Sequence, residues 1–227
     1  MFKIGYRLWA IGKRLGRVHS DFPYRLLPVA SCLLVIGCAP TKGQIVLTPL
    51  SSQSPEYSVS GKSAVFSNKD IKISILPLNS SEIKERLLSK DAANPLSEML
   101  SAPQYLAFLM DIENSSKGKI LYNPALTALF DNNMGLRKPM DYTDMYSLVS
   151  NASNPESVIN TMKDMFYDLG ITLGPDQRTS RLLIFSGIEE GSREFTIEMK
   201  EIYIGTSTIA VSFGFRVTEE DNRKDKK

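Results

Sequence analysis

The sequence predicts a mainly β protein, an antiparallel β-sandwich with a few short helices inserted between its strands. Roughly seven strand-like runs with turn signals between them fill about 160 residues, the density of an all-β domain. Strand and helix patterns do not alternate regularly, as a parallel sheet would require. The helical patterns are short and sit in the connections.

Taken in order, Ala64-Val65-Phe66 and Ile71-Lys72-Ile73-Ser74-Ile75-Leu76 alternate apolar and polar positions, the second up to a Pro-Leu break. Tyr105-Leu106-Ala107-Phe108-Leu109-Met110-Asp111-Ile112 is long and apolar, the mark of a central strand buried on both faces. Asn114-Ser115-Ser116-Lys117-Gly118 reads as a turn. The run 119–130 is strand-like but must be interrupted or edged at Asn123-Pro124. Asp131-Asn132-Asn133-Met134-Gly135 is a second turn, with Gly135 expected in a left-handed conformation. Arg181-Leu182-Leu183-Ile184-Phe185, Glu194-Phe195-Thr196-Ile197-Glu198-Met199 and the run 207–217 complete the strands. In the last, Ile209, Val211, Phe213 and Phe215 share one face.

Three helices are expected. Ser80-Ser81-Glu82 can cap a short one through Leu88. A second, weaker one covers 141–149. Asn154-Pro155-Glu156 is a start signal for the longest, 155–169, with an apolar stripe of Val158, Met162, Met165, Phe166 and Leu169 and a stop at Gly170.

Charge and composition set the ends of this domain. Residues 1–37 hold six basic side chains and one acid, which leaves 21 basic and 24 acidic residues from position 38 on, net −3. That excludes the basic surface a nucleic-acid partner would need. The single His (His19), the single Trp (Trp9) and both cysteines (Cys32, Cys38) also lie at the front. From Ala39 onward no side chain can supply imidazole catalysis, a thiolate or a disulfide. Residues 39–60 are rich in Ser, Pro, Thr, Gln and Gly, a tether composition. The organisation expected is therefore a leader at 1–37, Cys38 and a flexible tether to residue 60, the sandwich at 61–218 and a disordered charged tail at 219–227.

Residues 26–36 form an uncharged stretch of eleven, too short for a membrane-spanning helix of about 20 residues but right for the apolar region of a signal peptide. It ends in Val35-Ile36-Gly37-Cys38-Ala39, which resembles the lipobox of bacterial lipoproteins. That resemblance implies a diacylglyceryl thioether on Cys38, cleavage before it, and a lipid bilayer as partner. Ala39 stands where Asp would retain an enterobacterial lipoprotein in the inner membrane, so the outer membrane, facing the periplasm, is expected. The run from Asp111-Ile112-Glu113-Asn114-Ser115-Ser116 to Leu129-Phe130-Asp131, and the later 183–215 stretch, resemble strand pairs of immunoglobulin-like domains in bacterial surface lipoproteins.

Candidate chemistry is sparse. Asp131-Asn132-Asn133-Met134-Gly135 has Gly fifth and Tyr142 twelfth, which does not fit a calcium loop. Asp141 and Asp144 could form a carboxylate pair, or Asp141 could cap a helix on which Tyr142 and Tyr146 pack against a sheet. Glu189-Glu190-Gly191 reads as an exposed turn, and Asp164 and Asp168 as solvated. Gly170-Ile171-Thr172-Leu173-Gly174-Pro175 lacks the Lys-Ser/Thr of a phosphate loop. No catalytic, cofactor-binding or metal-ligating residue is assigned. The functional expectation is a membrane-anchored envelope lipoprotein, non-enzymatic, acting as a binding or scaffolding module for another envelope protein. The alternatives are a carrier of a small apolar ligand held between the sheets and a carboxylate-dependent envelope hydrolase. Segment 141–180, inserted between strands, is the expected contact surface, above all its loops at 151–154 and 170–179.

Overall fold

Alternating side chains along the strands build two antiparallel sheets with a shared hydrophobic core. The structure is a computed structural model and describes residues 44–220, except Met134, residues 167–169 and Glu190. The leader, Cys38 and residues 221–227 lie outside the described residues. In chain order the elements are β1 (Gln44–Pro49), β2 (Tyr57–Ser60), β3 (Ser63–Ser67), β4 (Ile71–Leu78), α1 (Ser80–Leu88), α2 (Leu96–Leu100), β5 (Tyr105–Asn114) and β6 (Ile120–Tyr122). A 3-10 turn at Pro124–Leu126 leads to β7 (Thr127–Asp131), β8 (Leu136–Arg137), α3 (Tyr142–Val149), α4 (Pro155–Met162), β9 (Ile171–Leu173), β10 (Arg178–Ser186), β11 (Glu194–Ile204) and β12 (Ser207–Glu220).

The first sheet runs β1-β12-β11-β6-β9, with β7 also on β11 and β8 on β7. The second runs β10-β5-β4-β3-β2. Ile71, Ile73 and Ile75 of β4, and Val211, Phe213 and Phe215 of β12, turn into the space between the sheets. Phe108 is the hub there. Its ring lies 5.9 Å from Phe185, 6.0 Å from Phe195 and 5.4 Å from Phe215, in edge and tilted geometries that aromatic quadrupoles favour.

β5 is buried on both faces, as its composition requires. Leu106, Phe108, Met110 and Ile112 enter the inter-sheet core, whereas Ala107 and Leu109 face a second cluster. β10 splits the same way, Leu183 and Phe185 inward, Leu182 and Ile184 outward. The second cluster is closed by the four helices, through Ile83, Leu87, Leu96, Leu100, Met145, Val149, Ile159 and Met162. No helix among the described residues is long and apolar enough to cross a membrane.

Several expectations need correction. The segment 44–60 is not a tether. Gln44-Ile45-Val46-Leu47-Thr48-Pro49 pairs residue for residue with β12, Leu47 packs on the core, and Tyr57 stacks edge-on against Phe66 at 5.1 Å. A β-branched run and one aromatic are enough to recruit the segment, and the Ser/Pro residues around them hide the signal in an average. Pro77 does not end β4. Pairing with β3 stops at Ile75, so Pro77 sits where β4 has a neighbour on one side only and a missing N–H is tolerated. The 155–169 helix stops at Met162. Met165 instead accepts a 2.7 Å hydrogen bond from the Leu182 N–H, and Phe166 bridges to Leu182. The open edge of β10 thus competes for this backbone and wins. Leu169, the last residue of the expected stripe, lies outside the described residues. α1 is capped by Asn79, one residue before the expected site, in a reciprocal box with Glu82.

The second turn forms as expected, but its glycine has another reason. Positive φ belongs to Gly61, Gly191 and Gly205 among the described glycines. At Gly135 a Cβ would come within 2.5 Å of Asp131 Oδ2 and 2.6 Å of the Arg137 guanidinium, so the residue is small to leave room for that ion pair.

A candidate binding cleft between helices

The helical layer is not closed completely. A cleft of about 320 Å³ opens between α3 and α4, lined by Met140, Asp141, Tyr142 and Met145 on one side and Ile159, Asn160, Lys163 and Phe166 on the other. Both walls are anchored to the edge of β10. On one side the Met140 N–H donates to Ile184 O at 2.7 Å, and on the other the Leu182 N–H donates to Met165 O. The same contacts cover part of a strand edge that would otherwise offer unpaired backbone.

Local sequence fixes the two helices. Asp141 Oδ1 accepts from the N–H groups of Thr143 and Asp144, at 2.8 and 3.0 Å, and Asp144 Oδ2 accepts from the Asp141 N–H at 3.0 Å. This reciprocal box starts α3 and occupies both carboxylates, the pair considered for acid–base work. Asn154 caps α4 through a 3.2 Å bond from the Ser157 N–H, with Pro155 at the first helical position. Met145 and Val149 point into the second core. Tyr142 and Tyr146 do not pack on a sheet. They lie 48% and 37% exposed and stack on each other at 6.4 Å, and Tyr142 lines the cleft.

The lining is mostly apolar and partly methionine, with Asp141, Asn160 and Lys163 as polar groups. Thioethers adapt to irregular partners, and exposed aromatics supply contact area at low entropic cost. The volume lies at the lower end of the range for small-molecule sites, about 300–1,000 Å³. A wider groove of about 700 Å³ runs beside β1, between Ile45-Val46-Leu47-Thr48-Pro49 and the start of α1.

Other expected positions fare differently. The 170–179 loop is largely structural. Ile171-Thr172-Leu173 is β9, paired to β6 with Ile171 and Leu173 buried. The Asp176 N–H donates to Asn114 O, and Gln177 O accepts from the Asn114 N–H. Both expected contact loops keep exposed residues: 151–154 apart from the half-buried Ala152, and in the second Gly170, Thr172 and residues 175–178. Glu189 and Ser192 close a turn, the Ser192 N–H donating to Glu189 O. Asp164 is exposed, while Asp168 and the lipidation candidate Cys38 lie outside the described residues. Among the described residues no group of three or more His, Cys, Asp or Glu side chains is placed to hold a metal.

Two buried polar clusters went unanticipated. The Asn114 side chain, fully buried, donates to Gly118 O at 2.8 Å, Leu173 O at 3.1 Å and Gly174 O at 2.8 Å, and accepts from Ser116. It ties the end of β5 to β9 and so joins the two sheets. Asp131, its side chain wholly buried, accepts from the N–H groups of Asn133 and Gly135 and from Arg137 at 2.9 Å. Burial pushes its carboxyl upward, but the N–H donors of Gly135, Asn133 and Glu189 and the Arg137 guanidinium outweigh that and hold it below the usual carboxylate range. The signal for both was an Asx residue opening a Gly-containing turn, which marks the turn but not its burial.

No family model matches the sequence, and no curated protein matches it. Among solved structures the chain is similar to the yjhA protein from Bacillus subtilis, at 14% identity over 75% of this chain and 90% of that one, TM-score 0.31. It is also similar to a functionally unknown protein from Listeria monocytogenes EGD-e, at 15% identity over 78% of this chain and 89% of that one, TM-score 0.34.

Proposed function

We propose that the chain is a lipid-anchored envelope protein, held in the outer membrane through acylated Cys38, whose immunoglobulin-like β-sandwich serves as a non-enzymatic binding module. The cleft between α3 and α4 is its contact site for another envelope protein. The observation that carries the binding reading is the stacked, exposed Tyr142–Tyr146 pair beside a cleft lined by Met140, Met145, Ile159 and Phe166. Exposed aromatics next to an apolar recess are the usual anchors of protein contacts. The anchor reading rests on Val35-Ile36-Gly37-Cys38 after an uncharged stretch.

One experiment tests both halves. Cells expressing the tagged full chain are fed a fatty-acid analogue, and the labelled protein is recovered from membranes with its partners. Wild type should carry label, and Cys38→Ser should not. Equal labelling of the two, or none in either, removes the anchor reading. A Tyr142→Ser/Tyr146→Ser variant that recovers every partner removes the assignment of the cleft.

A second reading, carriage of a small apolar ligand, is favoured by the size of the same cleft. It places the ligand among the helices, because the aromatic cluster around Phe108 occupies the space between the sheets. Saturable binding of an apolar fluorescent probe, displaced by Met145→Trp, would favour it.

A further inference from the structure

We propose that the cleft between α3 and α4 takes a cationic segment of its protein partner, one that sets an arginine beside a large apolar side chain. This rests on the binding reading above and gives the partner a chemistry which that reading leaves open.

The cleft has an apolar part and an acidic part. Met140, Met145, Ile159 and Phe166 form the recess, and Asp141 and Tyr142 line the same cleft. The capping box uses one oxygen of each carboxylate, Asp141 Oδ1 and Asp144 Oδ2. Among the described residues the second oxygen of each accepts no hydrogen bond, and both residues are exposed. The N–H groups of Thr143 and Asp144, which at a helix start would attract an anion, are already met by Asp141.

The charge around the cleft has one dominant sign. Residues 139–166 hold four acids, Asp141, Asp144, Glu156 and Asp164, all exposed, against one cation, Lys163. Lys163 is itself engaged in an interaction. A partner that brings a carboxylate, a phosphate or an anionic headgroup adds like charge to this surface, whereas a cation offsets it.

Arginine suits the site better than lysine. Its planar guanidinium can stack on an aromatic face while its N–H groups donate to a carboxylate. Tyr142, stacked on Tyr146 with 23° between the ring planes, and Asp141, its neighbour in sequence, offer both together. The recess belongs to the same cleft, so the arginine lies within a side-chain length of the apolar group that fills it.

The test uses the purified full chain in a zwitterionic detergent, with isotope-labelled methionine methyl groups. Met140→Leu and Met145→Leu assign the two signals of the cleft. The probe is benzoyl-arginine amide, an aromatic ring beside a guanidinium. Benzoyl-citrulline amide is its uncharged isostere, and benzoyl-glutamate amide its anionic counterpart. At low salt the arginine probe should shift both methyl signals and bind about three- to tenfold more tightly than the citrulline probe, with the glutamate probe weakest. Raising salt to about 0.5 M should remove most of the difference. Asp141→Asn keeps a capping oxygen and loses the charge, so it should bring the ratio to about twofold or less at low salt. Equal affinity for the arginine and citrulline probes overturns the arginine assignment and leaves the cleft as a contact site. So does a preference that neither salt nor Asp141→Asn reduces. No shift at either methyl with any probe at millimolar concentration overturns the binding reading of the cleft, and this proposal with it.

Discussion

The two faces of β5 belong to two different kinds of core. One face meets a second sheet across a cluster of phenylalanines, fixed by long strands whose registers leave little freedom. The other meets four helices of five to nine residues, which bring Leu, Ile and Met and leave a cleft among themselves. Helices this short are marginal alone and are held by caps and packing. The comparison teaches a division of labour. The inter-sheet core specifies the fold, and the helical layer is where the surface can adapt to a partner.

The harshest way to break the inter-sheet core is to begin the chain at residue 61. That removes β1 and β2, bares the edge of β12 and strips Tyr57 from Phe66 and Phe213. Such a chain should show no cooperative urea transition, whereas one starting at residue 43 should keep the parent's midpoint. Equal midpoints for both would return 44–60 to the status of a tether. Next in size is Phe108→Ala, which should cost about 3–5 kcal/mol, read from the shift in urea midpoint at constant m-value. Met162→Ala, also fully buried but in the helical layer, should sit at the low end of its range, about 2 kcal/mol, because short helices can close over the gap. If the Met162 change costs as much as the Phe108 change, the two cores are equally rigid and the contrast fails.

Asp131 sharpens the comparison by pH. Its carboxyl is held below its usual value in the folded protein, so the unfolded chain takes up the proton first as pH falls. The stabilisation is complete above the unfolded value of about 3.9 and is lost as pH drops through the lower folded value. Asp131→Asn should cost about 1.5–3 kcal/mol at pH 7, the range for hydrogen bonds to a charged group, and the gap to wild type should narrow below about pH 4. A gap that stays constant down to pH 2 would mean that the side chain acts through shape alone.

How much of this was legible varies with the range of the interaction. Strands with strict alternation, such as Ile71 to Ile75 and Val211 to Phe215, could be read because each residue reports its own face. The double burial of β5 followed from eight nearly continuous apolar residues. The cap at Asn154 and the pair Asp141–Asp144 were local and visible. By contrast, β1 was invisible because its strand character is borrowed from β12, about 170 residues away. The early end of α4 depends on the edge of β10, a partner that no helical periodicity can reveal. α2 is one turn of helix opening after Asn94-Pro95, and its Leu96 and Leu100 matter only because α1 and α3 lie beside it. For the cleft, the sequence gives the segment but not the exposure of Tyr142 and Tyr146, which depends on Met145 and Val149 taking the inner face.

The smallest expected effect on stability is the most informative about function. Tyr142→Ser/Tyr146→Ser removes two rings that are 48% and 37% exposed and that stack on each other. Surface changes of this kind usually stay within about 0.5 kcal/mol, and the lost ring–ring contact adds at most about 1 kcal/mol. The capping box that starts α3 uses Asp141 and Asp144, neither of which is altered, so the helix should persist in circular dichroism. Against that small change, recovery of a membrane partner should fall by about tenfold or more, the consequence of losing an aromatic anchor. Phe166→Ala is the control from the opposite wall of the cleft. Its ring is half-buried against the second core, so it should cost about 1–2 kcal/mol, less than a fully buried Phe, while also weakening the partner. If the double tyrosine change destabilises more than Phe166→Ala, the rings serve the fold. If it destabilises less and the partner is retained, the cleft is a packing gap, and the binding surface lies elsewhere on the molecule.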